Sequence, residues 1–393
     1  MPISSIKFFF KKPIFTNKKL IVATFFFAAL ITAIQNTFLH ESNNYKIFYY
    51  SLNHLLKGAD LYVEYPRQHF DFFLYGPAFP VLFSPFFLLP YKVGLFLWHF
   101  FFTAVWVVAI YKMPLTNNQK AFALWYGFQE LLTAISNSQT NPLIAAIPLF
   151  AFIAFERNRP FWAAFFIIVG FNIKIYSIVA GALFILYPQK VKFITSSLFW
   201  ALVFAVLPLL FTSPAKLLLQ FQSWFRRLVQ KSDYDKINNI SIHRLIHQII
   251  SLDISAMFIA ATGIILFCSV YLNRKAFFSK NFRMLLLSLI LIFQVIFHPA
   301  AESASYITAV TGVAIYWLYC PRNTIDIILI IACYILTIMS STDLMPAYIK
   351  DNFIKPYVLK ALPCVLIWLR VLFLMHIQGR VTGTGLQNNR LNL

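Results

Sequence analysis

The sequence predicts an all-α, polytopic membrane protein, and three observations carry that prediction. Of its 393 residues, 60% are hydrophobic, 18% aromatic and only 12% charged, whereas soluble domains carry about 25% charge. Apolar runs recur along the whole chain. The basic residues, 33 Lys+Arg against 13 Asp+Glu, cluster in the short turns between those runs, as the positive-inside rule requires. In a soluble protein a net charge of +20 would suggest nucleic acid as a partner. No basic soluble module exists here, so membrane lipids and phosphate groups are the expected partners, and nucleic acid is not.

In chain order, Lys7, Lys11, Lys12, Lys18 and Lys19 precede an apolar run from Leu20 to Leu39. That run is long and lacks a small-x-small cleavage site, so it reads as a signal-anchor with its N-terminus in the cytoplasm. Residues 40–90 then form a first outer loop. Lys92–Ala109 returns inward, Ala121–Ser136 goes out, and Asn141–Phe155 comes back to Arg157 and Arg159. Two short segments, Phe161–Ile173 and Ile175–Tyr187, meet at Lys174. Phe193–Phe211 leads to a long outer loop, residues 212–253. Ile254–Leu272 returns to a turn holding Arg274, Lys275, Lys280 and Arg283. Met284–Phe297, Ser305–Tyr319, Ile325–Ser340 and Pro356–Met375 complete about twelve membrane segments with both termini inside. The organisation is a basic cytoplasmic N-terminus (1–19), one transmembrane domain (20–376) and a cytoplasmic tail (377–393).

The first outer loop holds four of the thirteen acidic residues: Glu41, Asp60, Glu64 and Asp71. Tyr45, Phe48, Tyr49, Leu52, Leu55 and Leu56 recur at helical spacing, with Lys46, Ser51, Asn53 and Lys57 facing away, so the loop opens with an amphipathic helix. Gly58 stops it. The apolar run that follows is broken by Pro77, Pro80, Pro85 and Pro90 and is too punctuated to be an ordinary span.

This layout collects the rare polar residues on the outer side: Asp60 and Asp71, Asn137, Gln139 and Asn141 in the turn SNSQTNP, Lys174, Arg226, Arg227, Lys231, Lys236, His243 and Arg244, and His298 with Glu302. Ionisable groups at membrane depth are costly and mark sites or pathways. Each also has a structural reading. Lys174 can snorkel to the interface, Glu302 can pair with His298 or Lys174, and the asparagines can cap helix ends. Glu130 reads as a packing residue. Between Lys216 and Leu228, Leu217, Leu218, Phe221, Trp224, Phe225 and Leu228 fall on one face with Arg226 and Arg227 elsewhere, which describes an interfacial helix able to hold a lipid phosphate. Cys268, Cys320, Cys333 and Cys364 lack metal-ligand spacing, and His243/His247 have no acidic partner in pattern, so no metal site is expected. No nucleotide-binding glycine loop or nucleophile elbow appears.

The segments NYKIFYYSLNHLLKGADLY (44–62), FLYGPAFPVLFSPFFLLP (73–90), NSQTNPLIAAIPLFAF (137–152), IIVGFNIKIYSIVAGALF (167–184) and ESASYITAVTGVAIYW (302–317) together resemble the polyprenyl-phosphate-dependent glycosyltransferases of the GT-C superfamily, most of all glycosyltransferase family 87. The resemblance implies a GT-C-like bundle with a large first outer loop. It also implies inverting transfer of a hexose, mannose by family analogy, from a polyprenyl-phosphate donor to a glycan or glycolipid acceptor at the inner membrane, without a cofactor or metal. An acidic residue of the first loop would act as base. The early aspartate usual in the family falls on Asn44 here, and an amide cannot do that work. Asp71, just before the FLYGP stretch, is the first candidate, followed by Asp60 and Glu41. Lys174, Arg226, Arg227 and Arg244 are the candidates for the donor phosphate. Asn44, Tyr75, Asn137, Gln139, Asn141, His298 and Glu302 are expected to line the substrate pocket. A transporter or flippase of a lipid-linked sugar, or a non-catalytic relative, are the alternatives; a transporter predicts internal repeats, and none is evident.

Overall fold

A computed structural model describes residues 13–234, 239–252 and 254–383. Lys7, Lys11, Lys12, Lys236, Asp253 and the last ten residues lie outside them. All regular secondary structure among the described residues is helical. Among the described residues, five helices are long and apolar enough to cross a membrane: Lys18–Leu39, Tyr91–Lys112, Lys190–Leu210, Thr324–Ser341 and Leu362–Gly379. Shorter apolar helices accompany them at Asn141–Glu156, Pro160–Ile173, Ile175–Leu186 and Ala256–Leu272. The chain divides into two compact units. Unit 1 comprises Met1–Ile178 and Val191–Tyr234, and unit 2 comprises Val179–Lys190 and Asp235–Leu393.

In unit 1, helix α1 (Lys18–Ile34) starts where the Asn17 side chain accepts from the Lys19 and Leu20 amides, satisfying donors that a helix start leaves open. Helix α2 (Asn43–Lys57) is capped by Ser42 and ends at Gly58, whose φ of 65° is the left-handed conformation glycine adopts at low cost. The Gly58 and Ala59 amides close the last turn onto Leu55 and His54. Burial along α2 is mixed. Tyr45, Phe48, Leu52 and Leu55 are buried, but Leu56 is exposed and Ser51 is buried, its hydroxyl returned to the Phe48 carbonyl at 2.5 Å. The proline-rich run folds as two single turns, Phe79–Leu82 and Ser84–Phe87.

Helices α3 (Tyr91–Lys112), α4 (Asn117–Ser136), α5 (Asn141–Glu156) and α6 (Pro160–Ile173) follow. α3 packs against α1, α4 and α5, and α6 against α5. An aromatic block of Tyr45, Phe48, Phe79, Phe83, Trp98 and Phe102 joins α2 and the proline-rich turns to α3. Beside it lies a buried polar knot. The Asn36 amide donates to the Ser136 carbonyl at 2.8 Å and to His99 Nε2 at 3.0 Å, and the Trp98 indole donates to the Ser138 carbonyl at 2.9 Å. His99 Nδ1–H bonds its own helix at Leu95, which leaves Nε2 as the acceptor. This knot holds the turn between α4 and α5, where Ser138 adopts a positive φ of 50°. Helices α7 (Lys190–Val206) and α8 (Pro214–Tyr234) complete the unit.

Unit 2 contains α9 (Ile242–Ile250), α10 (Ala256–Ser269), α11 (Lys280–Ile296), α12 (Tyr306–Tyr319), α13 (Thr324–Ala332) and α14 (Leu362–Gly383). α11 and α12 form its core with α14 against both. Gly312 permits their close approach, since a Cβ there would meet the Ser288 carbonyl oxygen at 2.9 Å, and the Ser288 hydroxyl donates to the Gly312 carbonyl at 2.7 Å. α13 is tied to α14 by a buried ion pair. Asp326, fully buried, accepts from Arg370 Nε at 2.9 Å and from the Tyr316 hydroxyl at 2.6 Å, and completes a capping box with Asn323. Replacing only one member of such a pair leaves a buried charge unpaired. Asp326→Leu is therefore expected to destabilise unit 2 by roughly 3–5 kcal/mol, read as a lowered thermal midpoint in detergent, and Asp326→Leu combined with Arg370→Leu is expected to recover most of that loss.

Candidate functional site

The candidate site in unit 1 is built on the segment from Gly58 to Gly76, which has no regular structure of its own and is held by side chains of α8. The Gln220 carboxamide brackets the segment, accepting from the Leu61 amide at 3.0 Å and donating to the Ala59 carbonyl at 2.8 Å. Ser223 donates to Asp60 Oδ2 at 2.7 Å, and the Trp224 indole donates to the Leu74 carbonyl at 3.0 Å. Asp60 Oδ1 accepts from the Tyr62 amide at 2.9 Å. Both Asp60 oxygens thus hold the segment in place, as in an Asx turn pinned to a helix. Tyr62 and Tyr65 fasten it internally, their hydroxyls donating to the Tyr75 and Asp60 carbonyls. Burial, reinforced by the Asp60 carboxylate, pushes the Tyr62 hydroxyl well above its usual range, so it stays a donor.

Asp71 is placed differently. It is exposed, and its Oδ1 accepts only from the adjacent Phe72 amide, at 2.8 Å. Its backbone carbonyl accepts from His69 Nδ1 at 2.7 Å, and the Asn43 side chain accepts from the Phe70 amide at 3.1 Å, which anchors this bend to the start of α2. Arg227 of α8 lays its guanidinium on the Phe72 ring, while Arg226 is exposed. The ring that carries this cation thus belongs to the residue next to Asp71 in the chain.

The other end of the segment reaches Lys174. The Gly76 amide donates to the Asn172 carbonyl at 2.7 Å, and a Cβ at Gly76 would meet that oxygen at 3.0 Å. Two residues on, Lys174 Nζ donates to Asn141 Oδ1 at 2.6 Å, and the Asn141 amide donates to Gln139. Asn137 caps α4 by bonding Thr133, and its carbonyl accepts from Asn44 Nδ2 at 2.8 Å. Tyr75 packs between Phe48 and Phe79. Five peptide units separate Asp71 from Gly76, at most about 18 Å, so the segment links a carboxylate and Arg227 at one end to Lys174 at the other.

Glu41 is remote from this arrangement in character: it is exposed and paired with Lys46. Arg244, His298 and Glu302 belong to unit 2. Arg244 lies in the first turn of α9, which is capped by Ser241. His298 and Glu302 flank the α11–α12 turn, where the Ile240 amide donates to the Ala301 carbonyl at 2.7 Å. Unit 2 also holds a cation that the sequence reading passed over. Lys360 is buried, its Nζ donates to the hydroxyls of Ser341 and, at 2.9 Å, Ser303, and it lies over the Tyr306 ring.

With that geometry in view, the family model of glycosyltransferase family 87 matches residues 73–299, more than half of the chain. The chain belongs to glycosyltransferase family 87. It is a membrane glycosyltransferase. No curated protein matches the sequence. The family 87 match begins inside the Asp71–Gly76 segment and includes Lys174 and all of α8.

The apolar stripe of α8 is divided between the protein and its surroundings. Leu217, Gln220 and Trp224 are buried, whereas Leu218 and Phe225 are exposed. The loop beneath α8 offers backbone donors and acceptors that need partners, so the helix turns its hydrogen-bonding side chains inward. The signal was the polar pair Gln220 and Ser223 spaced i, i+3 within an otherwise apolar stripe.

His54, in the last turn of α2, is stacked on Tyr65 at 3.8 Å between centroids, and His69 lies within the segment itself. Burial holds both imidazoles below their ordinary pKa, so the folded loop binds fewer protons than the unfolded chain. Stability of the segment is expected to be full above about pH 6.5 and to fall as pH drops through and below that value. Hydrogen exchange of residues 58–76 checks this: protection decreases from pH 8 to pH 5, and His54→Phe flattens the dependence.

Proposed function

We propose that the protein transfers a hexose of the mannose class from a polyprenyl-phosphate donor to a glycan or glycolipid acceptor, with inversion. The carrying observation is the bend 71–72: an exposed Asp71 carboxylate with one oxygen committed only locally, followed in sequence by Phe72, whose ring carries the Arg227 guanidinium of α8. In this reading Asp71 removes the acceptor hydroxyl proton as its oxygen attacks the anomeric carbon. The C1–O bond to phosphate breaks, the electron pair leaves with the phosphate, and the proton ends on Asp71. Arg227, with Arg226 and Lys174, stabilises the charge that develops on the departing phosphate. Tyr75, Asn137, Gln139 and Asn141 shape the sugar side.

The alternatives for the base fit less well. Asp60 has both oxygens engaged by Tyr62 and Ser223, and Glu41 is paired with Lys46. Asn44 donates to a carbonyl oxygen, a bond an aspartate could not make, so an amide there has its own structural use and does not argue against activity. The distribution of basic turns supports about twelve crossings, cytoplasmic termini and an extracytoplasmic site in the inner membrane.

Asp71→Asn is expected to lower turnover by about 10² to 10⁴-fold while donor binding persists. Asp60→Asn keeps an acceptor for Tyr62 and can donate to Ser223, so its turnover is expected to stay near wild type. Transfer assays in nanodiscs with labelled polyprenyl-phosphate mannose check both, and full activity of Asp71→Asn would remove the assignment.

A further inference from the structure

The junction of α7 and α8 carries a feature that the transfer reaction does not use. A cavity of about 410 Å³ opens there, lined by Leu56, Leu209, Leu210, Phe211, Thr212, Ser213 and Lys216. Its walls differ sharply in chemistry. On one side stand Leu209 and Leu210, the latter 71% exposed, at the end of an apolar span whose Leu198 and Leu202 are exposed as well. That row lies on one of the helices apolar enough to cross a membrane, so it faces acyl chains. On the other side stand the Thr212 and Ser213 side chains and the Lys216 ammonium.

The Ser213 hydroxyl oxygen accepts from the Lys216 amide at 3.5 Å; the other two groups are not engaged among the described residues. The Thr212 hydroxyl oxygen is buried and lacks a hydrogen-bond partner among the described residues. Lys216 Nζ makes no hydrogen bond or ion pair among them. Its exposed side chain runs across Gly58, which has no Cβ in the way, and so reaches the C-terminus of α2. Beyond the cavity, α8 continues the apolar surface with Leu218, Leu219, Phe225 and Val229, each more than half exposed. An apolar track that ends on a cation, where a span meets an interfacial helix, matches a phospholipid: acyl chains along the leucines, phosphate on Lys216 at the rim of the cavity.

We infer that this cavity binds one bilayer phospholipid through its headgroup phosphate, anionic headgroups being preferred, and that the lipid seats α8 on the membrane surface. The site is separate from the residues proposed to act on the donor, and its occupancy does not depend on which sugar is transferred. A surface lysine of this kind contributes about 1 kcal/mol to binding an anionic lipid, close to fivefold in affinity.

Native mass spectrometry of the full-length protein, titrated with phosphatidylglycerol or phosphatidylcholine after release from detergent, tests the inference without any turnover. One tightly retained phosphatidylglycerol is expected. Lys216→Ala should weaken it about fivefold, Lys216→Arg should retain it, and Lys280→Ala, in unit 2, should leave it unchanged. Equal retention by wild type and Lys216→Ala would overturn the site. Displacement by millimolar inorganic phosphate would assign it to a free anion instead, and displacement by substoichiometric polyprenyl phosphate would make it a donor subsite, each of which contradicts the phospholipid assignment.

Discussion

The bracket that Gln220 places around Ala59 and Leu61 is the interaction on which the candidate site depends. Residues 59–76 have no regular helix to satisfy their backbone, and near a bilayer an unsatisfied amide or carbonyl is costly. α8 solves this with three consecutive tools on one face: a carboxamide that both accepts and donates, a hydroxyl for Asp60 and an indole N–H for the Leu74 carbonyl. Once those bonds form, the Asp71 bend and the Gly76 contact with Asn172 have little freedom left. Position at the site therefore follows from hydrogen-bond accounting rather than from hydrophobic burial alone.

A second consequence concerns the acidic residues. Within one short segment, Asp60 and Asp71 share a residue type and differ in environment. Asp60 lies where two donors converge and is used as a fastener. Asp71 lies at an exposed bend, and the one hydrogen bond its carboxylate makes among the described residues is to the Phe72 amide. A base needs an available lone pair near a proton donor, and a structural carboxylate needs its lone pairs filled. The same logic separates Asn44 from a lost catalytic acid, since its amide donates to the Asn137 carbonyl.

Much of this was legible in the sequence, for physical reasons. Apolar runs and basic turns gave the membrane class, because the cost of hydrating or burying those residues is large and one-signed. Gly58 ended α2 where the sequence placed the stop, because a left-handed C-cap has few alternatives to glycine. Lys174 stood out as a cation amid apolar residues, and the structure joins it to Asn141, another residue of the candidate set. What stayed hidden were contacts set by chain folding. The contacts of Gln220 and Ser223 could not be read from the apolar stripe because their partner is a loop that is distant in sequence. Lys360 was invisible because its partners, Ser303 and Ser341, lie far away along the chain.

The most direct test of the central claim is sugar transfer by the purified protein in nanodiscs, offered a polyprenyl-phosphate monosaccharide and a short acceptor glycan. The account predicts that free polyprenyl phosphate and extended glycan appear in equal amounts, with the new linkage of opposite anomeric configuration to the donor. Donor moved across the bilayer intact, or transfer only from a nucleotide sugar, would contradict it.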